Sequence, residues 1–128
     1  MPDAPTNQSH SGELAASISN LTVQILSDCA GRGPKAARTH ISGDLVAVVV
    51  QDAMTKGERS LIRDGEQDRV LGTRQAFQRT MRQDLAGGVA QITGLEVVAF
   101  MSANHMHPDV GVEIFILAPD VALPSAVS

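Results

Sequence analysis

The chain of 128 residues has no tryptophan, no tyrosine and only three phenylalanines. Any core must therefore be aliphatic, packed from Val, Leu, Ile, Ala and Met. The shortage also argues against a base-stacking platform for single-stranded nucleic acid, which needs exposed rings. One cysteine leaves no intramolecular disulfide and points to a reducing, cytoplasmic setting. No long apolar run or secretory signal pattern is present, so direct membrane insertion is not expected. Any role at the inner membrane is then peripheral and runs through a partner. Positive charge is also short. Ten Lys and Arg stand against 14 Asp and Glu, a formal net charge of −4, and no global field draws the chain to nucleic acid or anionic lipid.

What is present is an ordinary globular composition, 43% hydrophobic and 19% charged, in one domain's length of chain. "MPDAPTNQSHSG" is polar with two prolines and reads as a disordered leader over residues 1–12. From Glu13, apolar residues at 14, 18, 21 and 25 recur at helical spacing. Gly31, Gly33 and Pro34 then form a helix stop and turn. "RTHIS" and "LVAVVVQ" flank "GD" and read as a hairpin. Thr55 and Glu58 have capping-box spacing, Gly65 interrupts that helix, and a longer one runs from about Gln67 to Ile92. "VVAFMS" and "VGVEIFIL" form a second hairpin. A tail from 119 to 128 with two prolines reads as loose.

The order α-β-β-α-α-β-β predicts an α+β fold. It is a two-layer sandwich over residues 13–118: a four-stranded, mainly antiparallel sheet with the helices on one face. "LVAVVVQ" is apolar on both faces, which implies cover on the second face as well. A second copy would supply it, making a homodimer.

Three features invite a functional reading. "CAGRGPKAAR" resembles a phosphate loop but follows a helix, where carbonyls and the negative dipole end are exposed. It reads instead as a C-cap complemented by Arg32 and Lys35. With Arg38 and His40, those residues also make a cationic turn suited to an anion or a partner. Arg74 lies on the apolar stripe of the long helix with Val70, Phe77, Met81, Leu85, Val89 and Ile92. It must therefore either snorkel outward or meet a carboxylate, with Glu58, Asp44 and Glu113 as candidates. Glu113 is itself out of place, sharing a strand face with Phe115 and Leu117. The bland reading of Arg74, Glu58 and Glu113 is a structural ion pair; the functional one is an interface charge site. In "NHMHPD", His105, His107 and Asp109, with His40, are metal-ligand types without a ligand-set spacing, so no metal or cofactor is expected. Cys29 continues the apolar spacing of the first helix and is expected to be a buried, inert thiol. No nucleophile–base set emerges, so no catalytic residue is assigned.

Taken in order, "GRGPKAARTHISGDLVAVVV", "MTKGERSL", "TRQAFQRTMRQDL", "ITGLEVVAFMS" and "HPDVGVEIFIL" resemble the MpsC-like family. The family is named for a component of a sodium-translocating, membrane-potential-generating system. Gly31 to Pro34 match its Gly-Arg-Gly-Pro segment, and Met54 to Glu58 match its Leu-Thr-x-x-Glu segment with Met for Leu. Arg74, Phe77, Thr93 and Gly94 match its long helix. Many members have Ser-Asp after the third strand; this chain has Ser102-Ala103-Asn104, so a role resting on that acid does not carry over. The resemblance implies a small soluble protein linked to a membrane ion-transport system. With no catalytic set, the leading reading is a non-enzymatic accessory or regulatory protein that associates with an integral-membrane ion or bicarbonate transporter. The alternative is a small-anion or nucleotide sensor built on the basic turn. A metal-dependent enzyme using His105, His107 and Asp109 is the third reading.

Overall fold

A computed structural model describes residues 3–119. The expected loose tail lies outside them apart from Pro119. The elements are α1 (Asp3–Ala30), β1 (Ala36–Ser42), β2 (Leu45–Gln51), α2 (Lys56–Arg63), α3 (Gln67–Thr93), β3 (Val97–His105) and β4 (Val110–Leu117). Their order is the expected one, and the class is α+β.

The leader is where the expectation fails. Residues 3–12 belong to α1, which begins ten residues before Glu13. Neither feature that suggested disorder forbids a helix. Pro5 falls in the first turn, where a backbone N–H has no intrahelical partner to lose. A polar composition is compatible with helix wherever that stretch faces water.

Local chemistry sets the other boundaries. The Gly31 and Arg32 N–H groups donate to Ser27 and Leu26 carbonyls at 3.1 and 3.2 Å, closing α1 with Gly31 at φ 63°, a conformation glycine adopts without a Cβ penalty. Thr55 and Glu58 form the predicted capping box: Glu58 N–H donates to Thr55 Oγ1 at 3.1 Å, and Thr55 N–H donates to Glu58 Oε1 at 3.0 Å. Gly94, at φ 76°, ends α3.

The sheet has the order β1-β2-β4-β3, with every neighbouring pair antiparallel. β2, apolar on both faces, is thus central, beside β4. Alternation divides each strand between two faces. Val46, Val48 and Val50 pair in register with Phe115, Glu113 and Gly111 and point at the helices. On that side α1 and α3 pack over the sheet, and Ile18, Leu26, Met81, Leu85, Val89, Phe115 and Leu117 join the three valines in one buried cluster. Each such side chain contributes about 1.5–3 kcal/mol when fully buried. The Phe100 and Phe115 rings, 4.9 Å apart and tilted by 40°, are the core's one aromatic pair among the described residues.

The opposite face carries Ala47 and Val49 from β2, Val112, Ile114 and Ile116 from β4, and Met101 and Ala103 from β3. No described helix or strand covers it, and Met101 is 51% exposed.

Candidate functional site

The helix stop after α1 positions the first functional side chain. Arg32 does not turn back onto the helix end. Its guanidinium passes inward, donates to the Ala53 carbonyl at 3.4 Å and grips the Glu58 carboxylate through both terminal nitrogens, Nη2 to Oε2 at 2.7 Å. It also lies 5.6 Å from the centre of the Phe77 ring, close enough for a cation–π contact. Arg32 and Glu58 are both buried. One arginine therefore ties the turn to α2 and α3. Burial raises the Glu58 pKa, but the Arg32 hydrogen bonds, the Thr55 N–H and the charges of Arg32 and Arg74 outweigh it, holding the carboxyl below its usual range.

Arg74 occupies the predicted stripe of α3 and is buried. Its partner is not among the three carboxylates the sequence suggested. Nη2 lies 3.0 Å from Asp109 Oδ1, and Asp109 Oδ2 accepts the Met54 N–H at 2.7 Å. The Asp52 N–H donates to the Asp109 carbonyl at 3.0 Å, so the β3–β4 turn is laced to the segment between β2 and α2, beneath the start of α3. Asp44 sits at the other end of the sheet, where its carbonyl accepts the Leu117 N–H. Glu58 and Glu113 feel the Arg74 charge without pairing with it. Asp109, a metal-ligand type by sequence, has its carboxylate committed instead to Arg74 and Met54. His105 Nδ1 contacts the Pro108 carbonyl at 2.8 Å, and among the described residues no three His, Cys, Asp or Glu side chains converge as metal ligands.

Glu113 completes the interior cluster. Ser102 Oγ hydrogen-bonds Oε1, and Gln78 Nε2 approaches Oε2 at 3.4 Å. Gln78 and Asn104 bond each other reciprocally at 2.9 and 3.0 Å. Burial pushes the Glu113 pKa up, against the opposing effect of Ser102, Gln78 and Arg74. The interior thus holds two guanidiniums, Arg32 and Arg74, and three carboxyl groups, Glu58, Asp109 and Glu113. Between Arg32, Arg74 and Glu113 lies a cavity of about 20 Å³, room for a single water. Arg74 Nη1 is buried without a hydrogen-bond partner among the described residues. Chemically, the cluster clamps turn, helices and sheet together.

The rest of the basic turn is separate from it. Lys35, Arg38 and His40 are exposed. Arg38 and His40 pair with Val49 and Ala47 and share the outer sheet face. The structure therefore does not place Arg32 beside the other cations of the turn. Cys29, expected to be buried, is exposed: the apolar face of α1 ends at Leu26.

Sequence reasoning missed a groove between α3 and β3. Gln75, Gln78, Arg79, Arg82, Phe100 and Ser102 line a volume of about 400 Å³. Arg82 lies 5.5 Å over the Phe100 ring. Among the described residues neither Arg79 nor Arg82 forms an ion pair. The signal was legible: neither arginine has an acid three or four residues away, so neither has a neutralising neighbour on its own helix.

The family model described as "Na+-translocating membrane potential-generating system (MpsC)" matches residues 10–119, nearly the whole chain. The chain belongs to that family. No curated protein and no solved structure matches it. Among the described residues no helix is long and apolar enough to cross a membrane.

Proposed function

We propose that this protein is a non-catalytic accessory subunit of a membrane ion-transport system, sodium- or bicarbonate-linked. It is held at the cytoplasmic side of the inner membrane by protein contacts and works as a homodimer. The family description supplies the link to a membrane-potential system. The observation that carries the mode of action is the open sheet face of Ala47, Val49, Met101, Val112, Ile114 and Ile116. It is aliphatic across both central strands, and its charged groups, Arg38 and His40, lie on the β1 edge.

A second copy fits that face better than lipid does. The chain is acidic overall, which disfavours an anionic bilayer. An apolar face without acids or bases at its centre is self-complementary. Four strands of about seven residues present roughly 450 Å², so two copies packed face to face hide roughly 900 Å², just below the usual lower limit for a specific interface.

Affinity capture from native membranes, with mass and identity of the recovered proteins, tests the reading. Recovery of a dimer together with a polytopic membrane protein supports it. A monomer in solution at micromolar concentration, captured alone at low and moderate salt, overturns it. The sensor alternative built on the basic turn retains only Lys35, Arg38 and His40, because Arg32 is committed to Glu58.

A further inference from the structure

The groove between α3 and β3 has no role in that reading, yet it has the chemistry of a binding site. Its polar lining is rich in donors: two guanidiniums, two side-chain amides and a hydroxyl, with no carboxylate at its surface. Stacking on Phe100 holds the Arg82 fork in place, which reduces the ordering cost of gripping a ligand. In a chain with more acids than bases, two neighbouring arginines here have no acidic partner among the described residues. Forked guanidiniums recognise oxyanions by paired, charge-assisted hydrogen bonds. The volume exceeds what a bare oxyanion needs and suits a small organic molecule carrying one.

The floor of the groove adds a second property. Ser102 and Gln78 line it from below and are also the two side chains that hold Glu113. Glu113 is otherwise faced by Arg74 of α3, by Arg32 across the small cavity, by Val48 of β2 and by Asn104 through Gln78. While Glu113 is ionised it can only accept, so the Ser102 hydroxyl hydrogen points down to it. Once Glu113 is protonated it becomes a donor to Ser102 Oγ, and the Ser102 hydrogen is released toward the groove. An anion seated there gains a donor and avoids facing a second negative charge.

We propose that this groove binds a small organic oxyanion, a phosphate ester or carboxylate, through Arg79, Arg82 and Ser102, with uptake of one proton by Glu113 from solvent. Arg79 and Arg82 are binding residues; Glu113 is a positioning residue that acts through Ser102.

The test uses the isotopically labelled full chain titrated with sodium sulfate, followed by amide shifts. Sulfate keeps a constant charge over pH about 5 to 8, so any pH dependence belongs to the protein. The expected shifts fall on Gln75, Arg79, Arg82 and Ser102, and the affinity rises as pH falls, by at most about tenfold per unit. Arg79→Ala with Arg82→Ala should weaken binding about tenfold or more, whereas Lys35→Ala with Arg38→Ala should leave it unchanged. Glu113→Gln and Ser102→Ala should each flatten the pH dependence. Shifts centred on residues 35–40, no shifts, or undiminished binding by the double arginine variant overturn the site. A pH profile in Glu113→Gln identical to the parent's overturns the proton linkage. Glycerol 3-phosphate binding no more tightly than sulfate overturns the assignment to an organic ligand.

Discussion

Arg32 and Glu58, 26 residues apart in sequence, meet inside the protein with both side chains buried and Nη2 2.7 Å from Oε2. The pair joins the helix stop after α1 to the capping box of α2, since the Oε1 that Arg32 contacts also accepts the Thr55 N–H. Removing either member therefore disturbs two local structures.

Arg32→Met is expected to destabilise by about 3–5 kcal/mol, because it strands a buried carboxylate. Arg32→Met combined with Glu58→Gln removes that charge and should recover a substantial part of the loss, less the weakened cap. Urea midpoints for the two single variants and the double variant give the coupling directly. Strict additivity would mean that the pair does not act as a unit.

Asp109→Ala should be as severe as Arg32→Met. It leaves Arg74 without its counter-charge and the Met54 N–H without its acceptor, for a cost of about 3–5 kcal/mol. Asp44→Ala, at the residue sequence reasoning offered as a partner, should stay within about 0.5 kcal/mol. The same unfolding experiment reads both.

The two perturbed carboxyls give stability opposite pH dependences. Glu58 is depressed in the folded state, so its contribution is present above the usual carboxylate value and is lost as pH falls through the depressed one. Glu113 is raised, so the folded state binds the extra proton, and stability falls as pH rises from the usual value through the raised one. The stability maximum should lie between them, on the mildly acidic side. Glu113→Gln should raise stability at neutral pH and flatten the upper limb, as urea midpoints across pH would show. A neutral-pH loss on this substitution would falsify the assignment.

Gly88 and Gly87 should respond oppositely to alanine. A Cβ at Gly88 would lie 2.9 Å from Leu21 Cδ1 and closer still to Cδ2, where α1 crosses α3. The Leu21 side chain must then move, and the approximately 1 kcal/mol of helix propensity gained is offset. A Cβ at Gly87 meets nothing within 4 Å, so Gly87→Ala should stabilise by up to about 1 kcal/mol. Gly88→Val should separate the helices and destabilise by about 1–3 kcal/mol. Thermal midpoints distinguish the three.

Ile114→Lys, in the middle of the open sheet face, should turn the proposed dimer into a folded monomer, read by light scattering. The substitution leaves the helix-facing core untouched, because residue 114 points away from it.

Periodicity and turn chemistry determined most of this molecule. The 3.6-residue stripe of α3, the capping box at Thr55, the glycine stop at Gly31 and the two hairpins are local patterns. Short-range sterics and hydrogen bonding enforce such patterns wherever they occur, and they were enough for the element order and the α+β class. The start of α1 was not legible, because a polar first turn with a proline satisfies helix and coil alike. The stripe placed Arg74 on the core-facing side of α3 but left open whether it snorkels outward or is buried, and its partner was not legible. Asp109 becomes a neighbour only when the β3–β4 turn folds against the segment between β2 and α2. The same holds for Arg32, which the sequence sets among surface cations and the packing turns inward to Glu58. Charge pairing depends on distances across elements remote in sequence, and those distances are fixed by which strands lie at the centre of the sheet and which helix faces pack onto it.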